Sequence, residues 1–343
     1  MSDLSSIEVL ITNRFSDALM DQLREVSPRL HITHHHARRA EEIPNELWER
    51  CEVLYTDSVL PDPQSAPNLR WVQFHYAGID FAIDSPLLQK PDLLVTTLSG
   101  ANALQTSEYI VMMLLALGHR MPSLIQNQAK AEWPRDRDRW ERFSPVELHH
   151  ATVGLVGYGS IARETARLLK SFQATVLAAK RDVRHPEDSG YHLPGLGDPN
   201  GEYFDRLYPI EAVTPMIKLC DFVVITLPLN QNTRGLIGEK ELRAMKPSAY
   251  LVDVGRGGVV QHEALIEALQ ENRLAGAALD VFPEEPLPST SPLWRMPNVL
   301  MSPHIAGISP HYPERAAALF SDNLMRYLNN QPLLNRYDLS LRY

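Results

Sequence analysis

The chain is poor in cysteine. Cys51 and Cys220 are its only two in 343 residues, too few and too far apart for a disulfide framework or a cysteine-built zinc site. Each lies beside an apolar, strand-like run, which predicts a buried free thiol. Long hydrophobic runs are lacking too. The longest, Tyr109 to Leu117, falls well short of the ~20 apolar residues of a membrane-spanning helix. The opening MSDLSSIEVLIT lacks the basic start and apolar core of a secretory leader. A cytoplasmic protein with no membrane partner is expected. Basic blocks are absent: acidic residues outnumber basic ones 42 to 33, for a net charge of −9. A nucleic-acid partner therefore has no electrostatic footprint. No short-period repeat or low-complexity tract is seen.

What is present is a globular composition, 44% hydrophobic and 22% charged, at a length that suits two domains of roughly 150 residues each. In the first third, strand-like runs (Ile7–Thr12, Glu52–Thr56, Trp71–His75, Leu93–Thr97) alternate with segments such as Ser16–Val26, whose Leu19, Leu23 and Val26 are spaced for a helix. A long helix is expected from Ala103 to about Gln128. Alternation resumes with strands at Thr152–Val156, Ala174–Ala179, Phe222–Thr226, Tyr250–Val254, Gly276–Leu279 and Asn298–Met301. A last helix spans about Pro310–Asn329. Such alternation implies α/β architecture with parallel sheets covered on both faces. Between Val183 and Tyr208, Pro186, Pro194, Pro199 and several glycines predict a surface excursion without regular structure. The charged stretch Pro134–Arg142 reads as a solvated face or loop, and His34-His35-His36 and His149-His150 as surface clusters rather than metal ligands.

Gly157-Tyr158-Gly159-Ser160-Ile161-Ala162 fits G-x-G-x-x-G/A, after a strand and at the start of a helix, the context that gives the pattern meaning. Gly157 permits the tight turn, Gly159 lets the backbone approach a pyrophosphate, and Ala162 allows close helix–strand packing. The helix N-terminus offers N–H groups to phosphate. The next strand ends at Lys180-Arg181, a pair suited to the 2′-phosphate of NADP. A register two residues later would make Asp182 a ribose-binding acid and NAD the cofactor.

Three further segments, VDVGRGG (Val252–Gly258), ALDVFPEEPLP (Ala278–Pro288) and PHIAG (Pro303–Gly307), follow in order. With the glycine turn they resemble the D-isomer-specific 2-hydroxyacid dehydrogenases, the family of glyoxylate/hydroxypyruvate reductases. The resemblance is specific over Thr152–Gly307 and one of pattern over the first 120 residues. It implies a two-domain α/β fold: a Rossmann cofactor domain (119–307) inserted into a discontinuous, flavodoxin-like substrate domain (1–118 and 308–343), with a cleft between them. It also implies a catalytic Arg256, Glu285 and His304. Cofactor contacts are implied at Gly157, Tyr158, Gly159, Ser160, Ile161, Lys180, Arg181, Leu227, Pro228, Thr233, Val254, Asp280, Ala306 and Thr106. Asp280 takes the place of the acid on the nicotinamide carboxamide. Substrate contacts are implied at Tyr76, Ala77, Gly78 and Arg256. Many members carry His where this chain has Thr226. The family usually dimerises through its cofactor domain, and Trp133 and Trp140 could pack in such a homodimer.

The chemistry requires these residue types. Hydride arrival at a keto carbon leaves negative charge on oxygen, which a group titrating near neutrality must protonate. His304 suits that task, with Glu285 fixing its tautomer and favouring the protonated ring. Arg256 offers a planar fork to a carboxylate and can polarise the keto oxygen. The expectation is thus hydride transfer between NAD(P)H, NADP preferred and NAD possible, and the 2-position of a 2-keto or 2-hydroxy acid. Glyoxylate, hydroxypyruvate and larger keto acids all stay open. A formate dehydrogenase is a competing reading that Glu285 argues against. A dinucleotide-sensing protein like the C-terminal-binding corepressors is another, which turnover would distinguish.

Overall fold

The computed structural model describes residues 6–188 and 190–339. Residues 1–5, on which part of the leader reading falls, residue 189 of the expected excursion, and residues 340–343 at the end of the expected substrate domain lie outside the described residues. The chain forms two compact units. Among the described residues the first holds 6–102, 190–191 and 309–339, and the second holds 103–188 and 192–308.

The first unit is built on β1 (Ile7–Ile11), β2 (Leu30–His34), β3 (Val53–Thr56), β4 (Trp71–Phe74) and β5 (Leu94–Thr96), in the order β2-β1-β3-β4-β5. Every pairing is parallel, and the order is that of flavodoxin-like sheets. Helix α1 (Asp17–Glu25) starts where the Ser16 side chain accepts the Leu19 N–H, and it buries Met20 and Leu23. Helix α2 (Asn45–Arg50) buries Trp48. Strand β2 was not anticipated. Its LHITH alternates irregularly and only Leu30 is buried, as suits an edge strand with little apolar period to read. The histidines at its end each meet a backbone carbonyl, His34 that of Asn13, His35 that of Glu42 and His36 that of Thr12.

The second unit opens with α3 (Ala103–Gly118), α4 (Met121–Ala129) and α5 (Asp136–Phe143). The expected single helix over 103–128 is therefore two. Arg120 adopts a left-handed conformation, and Pro122 stands in the first turn of α4, where its missing N–H and fixed φ start a helix but cannot continue one. Helix α3 was expected to belong to the first domain. Its Ile110, Leu114 and Leu117 instead join Val153, Leu155 and Phe222 in the core of the second unit, which moves the boundary from 118/119 to 102/103. The PRDRDRWER stretch is helical over α5, with no buried residue and Arg137 paired to Glu141 one turn on.

Then follow β6 (Thr152–Val156), α6 (Ser160–Ser171), β7 (Thr175–Lys180), β8 (Arg206–Pro209), α7 (Val213–Ile217), β9 (Phe222–Ile225), α8 (Glu239–Ala244), β10 (Tyr250–Asp253), α9 (His262–Gln270), β11 (Gly276–Leu279) and β12 (Val299–Met301). The all-parallel order is β12-β11-β10-β9-β6-β7-β8, the Rossmann order extended by one strand. Strand β8 corrects the expectation of an irregular segment through Tyr208. It is an edge strand with one fully buried residue, Tyr208, too short and too exposed to show a period. The central strands β9, β10 and β11 are buried throughout. The last helix, α10 (Tyr312–Leu328), belongs to the first unit and buries Ala316, Ala317, Phe320 and Leu324 against the side of its sheet that carries Tyr55 and Trp71.

No helix among the described residues is long and apolar enough to cross a membrane. Both cysteines are free and buried, and burial pushes each thiol up to about 12. They are inert at ordinary pH.

Candidate functional site

In parallel α/β sheets, ligands meet the loops at the carboxyl ends of the strands. In the second unit those loops carry nearly all the expected cofactor and catalytic residues. Gly157, just past β6, has φ +97°, and a Cβ there would lie 2.8 Å from the Leu227 side chain. Only glycine fits both the conformation and the space. At Gly159, which caps α6, a Cβ would meet nothing within 4 Å, and no side chain caps the helix. The turn is open on that face, and the first N–H groups of α6 are left for an anion. These residues fit the pyrophosphate of a dinucleotide.

The loop after β9 closes against this turn. Thr226 Oγ1 donates to the Gly157 carbonyl at 2.9 Å. A Cβ on Gly255 would sit 2.7 Å from the Leu227 carbonyl oxygen, so Leu227-Pro228 lies between the loops after β6 and β10. Thr233 Oγ1 donates to the Pro228 carbonyl at 2.6 Å and accepts the Asn230 N–H at 2.8 Å, which pins this loop. Val254 and Ala306 are buried nearby in the same core cluster.

Strand β7 ends at Lys180, the register first expected. Lys180 Nζ donates to the His185 and Glu187 carbonyls at 2.6 and 3.3 Å. Asp182 accepts the Arg184 N–H at 3.0 Å and meets His185 Nδ1 at 2.7 Å. The carboxylate competing for the ribose is thus engaged in its own turn.

Arg256, Glu285 and His304 come from three loops. Arg256 follows β10 and donates from Nη1 to its neighbour's carbonyl, Gly255 O, at 2.8 Å. Beside it, a Cβ on Gly257 would fall 1.9 Å from the Phe282 carbonyl oxygen, so the arginine loop lies directly on the loop that carries Glu285. Glu285 Oε1 accepts the Phe282 N–H at 2.9 Å, and its Oε2 meets His304 Nδ1 at 2.8 Å. His304 has φ +53°, a strained conformation for a non-glycine residue, of the kind that gathers at functional sites. What holds it is Asp280, 1% exposed. Its carbonyl accepts the His304 N–H at 2.9 Å. Its carboxylate accepts Ser302 Oγ–H at 2.5 Å and the N–H groups of Ile305 and Ala306 at 2.8 and 2.9 Å. The acid expected at the carboxamide therefore shapes the His304 turn. Tyr109 extends this chain to α3 through a 2.5 Å hydrogen bond with Ser302 Oγ, and Gln105 Nε2 donates to the Gly307 carbonyl at 2.7 Å. Sequence reasoning missed Ser302 and Tyr109, which belong to no spaced motif. Thr106 is buried on the first turn of α3. Asp253, fully buried at the end of β10, is pushed up to about 7 by desolvation and by the charge of Asp280. It accepts the Gly255 N–H at 3.0 Å, which steadies the turn that leads to Arg256.

Tyr76, Ala77 and Gly78 follow β4 in the first unit. The approach to them is rigid. Burial pushes His75 down to about 4, and its Nδ1 pairs with the Tyr55 hydroxyl at 2.6 Å. The Tyr312 hydroxyl donates to the His75 carbonyl at 2.7 Å. Tyr76 itself is about half exposed.

Comparison with known proteins agrees with this geometry. The model of the D-isomer specific 2-hydroxyacid dehydrogenase NAD binding domain matches residues 111–306. A glyoxylate reductase of Thermofilum pendens is 34% identical over 293 residues, 84% of this chain and 82% of the relative. An (S)-sulfolactate dehydrogenase of Chromohalobacter salexigens is 32% identical over 76% of this chain and 78% of its own. Among solved structures, a D-isomer specific 2-hydroxyacid dehydrogenase from Xanthobacter autotrophicus, in complex with NADPH and MES, superposes with a TM-score of 0.80 at 27% identity, covering 99% of this chain and 100% of that one. With its Rossmann turn, its His304–Glu285 pair and these relatives, the chain belongs to the D-isomer specific 2-hydroxyacid dehydrogenase family.

Proposed function

We propose that this chain reduces a small 2-keto acid, with glyoxylate and hydroxypyruvate the first candidates, to the 2-hydroxy acid, the D isomer where C2 is chiral, at the expense of NADPH. The observation that carries the reading is the 2.8 Å pairing of His304 Nδ1 with Glu285 on a turn held by Asp280. It leaves Nε2 as the nitrogen that hands over a proton. A reduced nicotinamide, when bound, supplies the hydride. Gly157 to Ile161 would hold the pyrophosphate, and Leu227, Pro228, Thr233, Val254, Thr106, Ala306 and Asp280 would hold the rest of the dinucleotide. Glu285 keeps a proton of His304 on Nδ1 and so fixes the tautomer and orientation of the ring. Arg256 pairs with the substrate carboxylate and polarises the keto oxygen, with no proton of its own to give at working pH. The peptide N–H groups of Ala77 and Gly78 offer hydrogen bonds to a carboxylate, and Tyr76 offers a surface to the substrate's side chain.

The preference for NADPH is supported by the cation Arg181, directly after the end of β7, and by the engagement of Asp182 in its own turn. A homodimer through the second unit is supported by Trp133 and Trp140, 86% and 78% exposed. The test is a panel of 2-keto acids run with NADPH and NADH in parallel. Turnover of glyoxylate or hydroxypyruvate with a higher kcat/KM for NADPH is expected. Tight dinucleotide binding without turnover of any keto acid would overturn the enzymatic reading in favour of a sensor. A preference for NADH would overturn the cofactor assignment alone.

A further inference from the structure

The proline- and glycine-rich excursion after β7 is docked, and what it docks on is the cofactor turn. Arg163, on the first turn of α6, is 2% exposed. Its Nη1 donates to the Asp198 carbonyl at 2.5 Å, and its Nη2 donates to the Pro186 and Glu187 carbonyls at 2.5 and 3.2 Å. Its Nε lies 3.4 Å from the Asp188 carboxylate, and its guanidinium lies 4.8 Å from the centre of the Tyr158 ring. Tyr158 is the residue between the two glycines. Its hydroxyl donates to Asp198 Oδ2 at 2.6 Å. The same carboxylate, 2% exposed, accepts the Glu202 and Tyr203 N–H groups at 2.7 and 3.0 Å. On the next residue of α6, buried Glu164 accepts the Gly197 N–H at 2.6 Å. Lys180 closes the arrangement from β7 through the His185 and Glu187 carbonyls. A buried arginine and two buried carboxylates are costly to desolvate unless paired and hydrogen-bonded. Their use here marks a geometry that is specified, beyond a loop merely covered.

We infer that residues 183–188 and 192–204 form a fixed wall for the adenosine half of the dinucleotide, keyed to the phosphate turn by Tyr158, Arg163 and Asp198 and to the end of β7 by Lys180. The inference rests on the reading of Gly157–Ala162 as a dinucleotide turn. It gives Lys180 a positioning role: its ammonium is committed to the excursion's carbonyls, and it acts on both cofactors through the wall. Arg181, the next residue, is then the cation that distinguishes NADPH from NADH.

The test compares Tyr158→Phe, Lys180→Met, Lys180→Arg and Arg181→Ala in the full-length enzyme, with KM for NADPH, NADH and keto acid, kcat and Tm each measured. Tyr158→Phe and Lys180→Met should each raise KM for NADPH and for NADH by a similar factor, roughly tenfold for the loss of a charge-assisted hydrogen bond. Saturated kcat and keto-acid KM should hold within about twofold. Lys180→Arg, which keeps donors for the two carbonyls, should restore most of the loss. Arg181→Ala should weaken NADPH alone. A loss confined to NADPH in Lys180→Met would make Lys180 a direct phosphate ligand and overturn the inference. Unchanged dinucleotide KM in Tyr158→Phe, or a fall in Tm and kcat with no change in KM, would overturn it as well. Failure of the wild-type enzyme to bind either dinucleotide would instead overturn the cofactor reading beneath it.

Discussion

His304 draws on two other parts of the chain, the segment after β11 and helix α3. Its backbone is held by Asp280, its ring by Glu285, and its turn through Ser302 by Tyr109. Replacement of the ring removes the proposed proton donor but leaves the glycine turn of the proposed cofactor site intact. His304→Ala should therefore lower kcat for keto-acid reduction by on the order of 10²–10⁴, with dinucleotide Kd unchanged by fluorescence titration. Wild-type turnover in that variant would remove His304 from the chemistry. Glu285 acts through the ring. Its Oε2 meets Nδ1 at 2.8 Å, which fixes the tautomer of the ring and leaves Nε2 as the donor. Glu285→Gln retains a hydrogen-bond acceptor and loses the charge. The variant should lower kcat for keto-acid reduction with dinucleotide Kd unchanged, and wild-type kcat would show that His304 has another partner. The residue types and their spacing were legible in VDVGRGG, EEPLP and PHIAG. The positive φ of His304 and the service of Asp280 to its turn were not, because they depend on which strand ends lie side by side.

At the scale of elements, the site is a set of loops that press on one another. Gly157 meets Leu227, Gly255 meets the Leu227 backbone, and Gly257 meets the Phe282 carbonyl. The glycines of VGRGG therefore serve close packing between loops as well as local turns. Gly257→Ala would place a methyl group 1.9 Å from the Phe282 oxygen, and one of the two loops must move. A displacement near 1 Å can cost about 10²-fold in rate. The variant should fold, with dinucleotide affinity near that of the wild type, and lose keto-acid kcat/KM by about that factor. Retained activity would mean that Arg256 tolerates displacement and is not an orienting group. Elements also show where sequence patterns run out. The apolar runs of β6, β9, β10 and β11 announced themselves. The edge strands β2 and β8 did not, since an edge buries too little to impose a period. Pro122 was visible as a residue, but its breaking of the helix after α3 depended on the left-handed turn at Arg120.

At the scale of the molecule, the chain is two units, each with its own parallel sheet and its own buried core. The glycine turn, both neighbouring loops and the excursion's docking residues all belong to the second. A ligand that binds only the native state stabilises what it touches, by about 2.7 kcal/mol at a hundredfold excess over Kd. NADPH should therefore slow amide hydrogen exchange first and most strongly at β6, the start of α6, the loop after β9 and residues 183–188. Strands β1 to β4 of the first unit should change least. Protection centred on the first unit would mean that the dinucleotide binds elsewhere.

By itself the sequence determined a good deal about this protein. Alternation of strands and helices required parallel α/β sheets. Gly157 and Gly159, set between a strand and a helix, required a tight glycine turn and pointed to a phosphate. The ordered Arg256, Glu285 and His304 pointed to reduction at a carbonyl beside a carboxylate. Each of these is local: it depends on residues within one turn or one strand, where spacing in the chain is spacing in space. The tertiary structure alone decided the rest. It placed α3 with the second unit, gave Asp280 to the His304 turn, and sank Arg163 beneath an excursion that composition marks as ordinary surface. These facts depend on contacts between residues 20 to 200 positions apart. No periodicity records such contacts, because a buried polar group is recognised by its partners, and its partners are assembled only when the sheet has formed.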